Sequence, residues 1–220
     1  NAQNFTTATD TFNTAVGFDA GKAVTTGVQN TLIGGLSGDA MTTGVDNVAV
    51  GYLSASALTD ADYNVAVGKA ALSDDTLGSK STGVGYQALS TQNFTTATDT
   101  FNTAVGYNAG SLITTGIKNV LIGGEAGDAI TDADFNVAVG NAALSRNQLG
   151  SKSIAIGHSA LFTQNPDSAT DMHNVGVGHA AGISITTGVQ NTLVGGLAGD
   201  AQTTGIRSVF VGYKAGSAVT

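Results

Sequence analysis

The chain has 220 residues, of which 11% are charged and 41% hydrophobic; 31 are glycine, one is proline, and cysteine and tryptophan are absent. A formal net charge of −8, from 8 basic and 16 acidic residues, supplies no basic track for phosphates and argues against nucleic acid or an anionic membrane surface as partners. The lack of Cys excludes a disulfide scaffold and thiolate-bound zinc, and no apolar run reaches the roughly 18–20 residues of a membrane helix.

In chain order, residues 1–12 read as the tail of a repeat unit, because Gln3 to Gly17 is identical to Gln92 to Gly106. Regular 17-residue rungs then start at Asn13, Asn30, Asn47 and Asn64, and a long rung of 21 residues occupies 81–101. The next block starts at Asn102, Asn119 and Asn136 and ends in a second long rung, 153–173. Asn174 and Asn191 open two more rungs, and Ser208 begins one that stops at Thr220 after 13 residues. The chain is therefore expected to be a single continuous repeat domain over 1–220, cut from a longer protein. The first two blocks differ in length by one 17-residue rung (102−13 = 89 against 174−102 = 72), as expected where whole rungs are gained or lost without breaking the stack.

Each rung position has a physical job, visible at Asn13, Val16 and Gly17, at Asn102, Val105 and Gly106, and at Asn174, Val177 and Gly178. The first residue is Asn in nine rungs and Ser in three, which predicts a ladder of stacked amides and a left-handed corner at Asn. The second is always β-branched and the fourth always Val or Ile, the chemistry of a strand whose β-branched pair is expected to fill the core. The fifth is always Gly, marking a turn or a close backbone approach. Thr-Thr-Gly closes five rungs, as at 25–27 and 114–116. Two short extended runs and two turns per unit, with glycine inside every unit, exclude helices and predict an all-β parallel β-solenoid of about 12 rungs. At roughly 4.8 Å per rung it would span about 55–60 Å.

The third position, Ala15, Leu32, Ala49 and so on to Phe210, is never polar and alternates with the β-branched pair. Strands apolar on both faces need cover on both, so the third-position residues are expected to form an outer stripe that drives self-association.

The phrase Asn-x-Ala-Val-Gly-x-x-Ala, at 64–71, 102–109 and 136–143 and with Ser54 at 47–54, resembles the head repeat of YadA-like trimeric autotransporter adhesins. Its longer form with a Thr-Thr-Gly turn, Asn102 to Ile117, resembles repeats of bacteriophage tail fibres, and the 17-residue period sides with these. The resemblance implies a left-handed parallel β-roll in which three identical chains pack about a fibre axis as a homotrimer. It implies an extracellular location, on a virion tail fibre or a bacterial cell surface.

Catalysis, cofactors and bound metal are not expected. His158 and His179 share a rung position that elsewhere holds Tyr, Phe, Lys, Asn or Gly, which describes an exposed rim. Asp60-Ala61-Asp62 and Asp132-Ala133-Asp134 open like calcium loops, but the sixth and twelfth positions carry Val and Ala where an EF-hand needs Gly and Glu. Gly-Asp-Ala at 38–40, 127–129 and 199–201 reads as a turn whose Asp caps local amides. The stacked Thr pairs also suggest an ice-binding array, against which their place before a turn Gly weighs. The extra four residues of each long rung are expected to bulge outward. They make Asn93, Phe94, Thr95, Asn165 and Asp167 the candidate surface-binding residues, for a host glycan or protein. The expected function is a non-catalytic phage tail-fibre segment acting as a rigid spacer with host-attachment surfaces. Its alternatives are a trimeric autotransporter-type adhesin and an ice- or glycan-binding solenoid.

Overall fold

A computed structural model of the chain describes residues 10–218. It divides into two compact units, Asn1–Tyr107 and Asn108–Thr220. Both are parallel β-solenoids with no helix among the described residues, and together they carry twelve repeat strands at a 17-residue period lengthened to 21 at the two long rungs.

In the first unit the repeat strands are β1 (Thr14–Val16), β2 (Thr31–Ile33), β3 (Val48–Val50), β4 (Val65–Val67), β6 (Thr82–Val84) and β8 (Thr103–Val105), with β5 (Gly78–Ser79) and β7 (Thr98–Asp99) flanking β6 in sequence. Each repeat strand pairs in parallel with the next in strict register, Thr31 with Val48 and Val48 with Val65. The second unit repeats this with β9 (Val120–Ile122), β10 (Val137–Val139), β12 (Ile154–Ile156), β14 (Val175–Val177), β15 (Thr192–Val194) and β16 (Val209–Val211). There β11 (Gly150–Ser151) pairs with β13 (Thr170–Asp171), as β5 pairs with β7 in the first unit.

The two strand faces are the reverse of the sequence expectation. The third-position side chains point inward: Leu32, Ala49, Ala66, Leu121, Ala138, Ala155 and Leu193 are fully buried. The β-branched pair points outward, with Val105, Ile122, Ile154 and Ile156 exposed. The reason is the narrow interior of a 17-residue rung. Its core also receives the eighth residue, as Ala71, Ala88 and Ala143, and the twelfth, as Met41, Leu58, Ile113, Ile130 and Ile185. That leaves room for one strand side chain per rung rather than two.

The ladder at the first position exists, in a different form. Asn30 Oδ1 accepts the Asn47 N–H at 2.9 Å and its Nδ2 donates to the Gly44 carbonyl at 2.7 Å. Asn64 does the same toward Ser81 (2.8 Å) and Gly78 (2.9 Å), and Asn136 toward Ser153 (2.9 Å) and Gly150 (3.0 Å). Side-chain amide to backbone is thus the main rung-to-rung link, and direct amide–amide bonds occur beside it at Asn47–Asn30 and Asn191–Asn174, both 3.1 Å. The left-handed residue is not Asn but the one before it, as at Asp46 (φ 56°), Tyr63 (60°) and Lys80 (63°). That corner turns the chain so that the Asn side chain enters the core.

The strand glycine meets two demands at once. Gly195 has φ +133°, and a Cβ there would lie 2.5 Å from the Gly212 carbonyl oxygen one rung on. A larger residue is excluded both by backbone conformation and by the stacking distance.

Candidate functional site

The largest feature that the core does not use is the outer face of the repeat strands. Second- and fourth-position residues line it as two columns of Thr, Val and Ile, about 40% exposed at Ile122 and Ile156. Two further columns border it. The residue before each Asn or Ser supplies exposed Tyr63, Phe101 and Phe135, and Lys80 and Lys118 lie over the next ring in that column at 5.3 and 5.1 Å. The residue after each strand glycine supplies exposed Tyr52, Tyr86 and Tyr107, with Lys69 5.6 Å from the Tyr86 ring centre. Equivalent positions recur every rung, so like side chains stack. Tyr86 and Tyr107 lie 5.3 Å apart with planes 10° from parallel, and His158 and His179 5.3 Å apart at 8°. Stacking covers the inner ring faces and leaves mainly ring edges to solvent. The two histidines are exposed, as expected for that rim position.

The long rungs place the candidate loop residues in mixed settings. Thr95 and Asp167 are exposed; Asn93 is exposed too, but its Oδ1 accepts the Thr76 hydroxyl at 3.1 Å. Asn165 is half-buried, its Oδ1 accepting the Gln148 N–H at 3.3 Å. Phe94, expected at the surface, is buried, as is Pro166 at the matching place in the second long rung. Chain therefore leaves the rung only at about 95–97 and 167–169, and returns through β7 and β13. Each return is clamped by one ion pair, Lys80–Asp99 (2.5 Å) or Lys152–Asp171 (2.6 Å). These pairs are exposed and contribute little to stability by themselves.

The Thr and Asp turns are occupied by rung-to-rung bonds. Thr25, Thr42 and Thr114 hydroxyls donate to carbonyls one rung on, each at 3.1 Å. Asp62 Oδ1 accepts the Val45 N–H at 2.7 Å and Asp134 Oδ1 the Ile117 N–H at 2.8 Å, while Asp60 accepts the Thr43 hydroxyl. In the Gly-Asp-Ala turns, burial raises the Asp39 and Asp128 carboxyls above their ordinary value of 3.8, opposed by backbone amides at Asp39 and by the Ser145 hydroxyl and then backbone amides at Asp128.

The sequence also holds a buried polar network that the repeat pattern did not disclose. At the twelfth position, apolar in most rungs, the neighbourhood of the long rungs carries Asp75 with Gln92 and Asn147 with Gln164, all fully buried. Gln92 Nε2 donates to Asp75 Oδ2 (2.5 Å) and to Ser81 Oγ (2.9 Å), and Gln92 Oε1 accepts Asn102 Nδ2 (2.8 Å). Asp75 Oδ1 also accepts the N–H of Gly78 (3.0 Å) and Phe94 (3.2 Å). Burial raises the Asp75 carboxyl above 3.8 despite these donors. In the second unit Asn147 bonds Gly150 through both amide atoms, at 2.6 and 3.1 Å, and Gln164 bonds Ser153 and Asn174. The signal was readable: those four residues, and Gln202 in the rung from Asn191, break an otherwise apolar twelfth column.

Among the described residues there is no enclosed pocket and no cluster of three or more metal-ligating side chains within the chain. No protein-family model matches the chain, and neither a curated protein nor a solved structure matches it.

Proposed function

We propose that the chain is a segment of a non-catalytic structural fibre, a phage tail fibre or similar appendage, in which three identical chains pack side by side as a rigid spacer. The observation that carries this is the outer strand face. Its two Val/Ile/Thr columns are half-buried at most rungs and exposed at Val105, Ile122, Ile154 and Ile156, on a solenoid whose core is already filled, and soluble single chains rarely leave a long apolar strip in water. The 17-residue period and Thr-Thr-Gly turn support tail-fibre kinship over other fibres. Attachment to a host glycan or protein would fall to the exposed loop tips, where three-fold display of weak contacts raises avidity. A bacterial surface adhesin is the second reading, favoured by the Asn-x-Ala-Val-Gly phrase. Immunogold labelling of virions against intact cells separates the two.

Sedimentation equilibrium of the purified chain tests the reading: three times the chain mass is expected, and a monodisperse monomer overturns it. An ice- or glycan-binding solenoid predicts instead thermal hysteresis or a glycan-array signal. The threonine hydroxyls already committed to rung carbonyls weigh against the first.

A further inference from the structure

In three rungs the two columns bordering the outer face pair a cation with a tyrosine. Where the residue before the strand is Tyr63, the one after it is Lys69; Lys80 is matched by Tyr86, and Arg207 by Tyr213. Within one chain the members of such a pair stand at opposite ends of a strand and cannot touch. Side by side, parallel copies would bring the leading column of one against the trailing column of the next, joining cation to aromatic ring at those three rungs. A slip of one rung toward the chain start would set Tyr63 against Tyr52 and Lys80 against Lys69.

All three histidines of the chain fall in these columns on two successive rungs. His158 and His179 stack in the trailing column, and His173 stands in the leading column of the rung that holds His179. We infer that, in parallel in-register packing, His173 of the partner subunit joins the His158–His179 pair to form a three-imidazole site for a borderline divalent cation such as Zn2+ or Ni2+. This rests on the fibre reading above. Imidazole nitrogens suit these ions, and three protein ligands plus water complete a tetrahedral shell. As stacked, the two rings hold equivalent nitrogens about a rung spacing apart, so both reach one ion only by turning out of the stack; the partner's His173 then closes the other side.

The test combines three measurements on the purified chain. Calorimetric titration with Zn2+ should give one site per chain, weakened at least about tenfold by His173→Asn, with the sedimenting mass unchanged. Because the chain has no cysteine, Lys118→Cys together with Gly124→Cys should link chains on oxidation, whereas Lys118→Cys with Asn141→Cys, one rung out of step, should not. A trimer that binds no Zn2+, or binds it equally well after His173→Asn, overturns the site and leaves the fibre reading standing. Cross-linking by the offset pair alone overturns the register, and with it the site. A monomer overturns both.

Discussion

A carboxylate in a solenoid core is a costly choice, and Asp75 stands where the second unit has Asn147. The unfolded Asp75 titrates near 3.8, and burial holds the folded group higher. Above that raised value the folded state carries the full cost of a buried charge. As pH falls through it toward 3.8 the folded state takes up the proton first, and the cost is relieved. Asp75→Asn should therefore raise the melting temperature at neutral pH and flatten its dependence across the acid limb, as followed by circular dichroism. The Asn147–Gln164 arrangement shows how the amide would be accommodated, its Nδ2 turning to the glycine carbonyl. Asn64→Ala acts in the opposite direction. It leaves the Ser81 N–H and the Gly78 carbonyl without their side-chain partners in the core, so chemical denaturation should show a loss of about 2–4 kcal/mol. That the first position is Asn was plain from the repeat. That its amide bonds backbone rather than chiefly its own kind required the rung spacing and the inward turn at the preceding left-handed residue.

Within a rung, the third and ninth residues share one volume. Leu32, Leu121 and Leu193 accompany Gly38, Gly127 and Gly199, while Ala66, Gly83 and Ala138 accompany Leu72, Leu89 and Leu144. Backbone conformation does not require the glycines, since Leu72 and Leu144 take φ of 50° and 52° at the same position. Space does: a Cβ on Gly127 would lie 2.8 Å from Leu121 Cδ2. Leu121→Ala alone should cost about 2–5 kcal/mol through the cavity it leaves, and Gly127→Leu alone should be destabilising through overpacking. Together they should recover part of the loss, since the small third residue makes room as in the Ala138–Leu144 rung, while Ile130, also 2.8 Å from a Cβ on Gly127, still crowds the new side chain where that rung has Asn147. A double-mutant cycle from urea unfolding checks this, and strict additivity would refute it. The long rungs were legible as insertions, but burial of Phe94 was not. An aromatic side chain in a polar loop looks exposed until the loop is seen to fold it back toward the core.

Within each unit, successive regular rungs present the same strand register and the same asparagine bond to the next rung's backbone, as at Asn30–Asn47–Asn64 and Asn119–Asn136. Removing residues 47–63, one whole rung, should therefore leave a folded protein with an unchanged β-sheet spectrum. Removing 16 residues from the same place should abolish cooperative unfolding, because it shifts strand, glycine and asparagine columns out of register together. In each unit the outer strand face carries two Thr/Val/Ile columns, half-buried at most rungs, bordered by aromatic and cationic ones.

The sequence by itself determined the period, the parallel stacking of β rungs, the glycine turn and the alternation of side chains across each strand. It did so because these depend on spacing and backbone chemistry that every rung repeats. Only the tertiary structure decided which strand face is inside. Both faces are apolar, so alternation alone is symmetric between them. The asymmetry comes from the far side of the rung, whose eighth and twelfth side chains already occupy a narrow core and leave space for an Ala or Leu but not for a β-branched pair. The matching of third to ninth residues carried that answer in the sequence, and it became readable once the two were seen to touch.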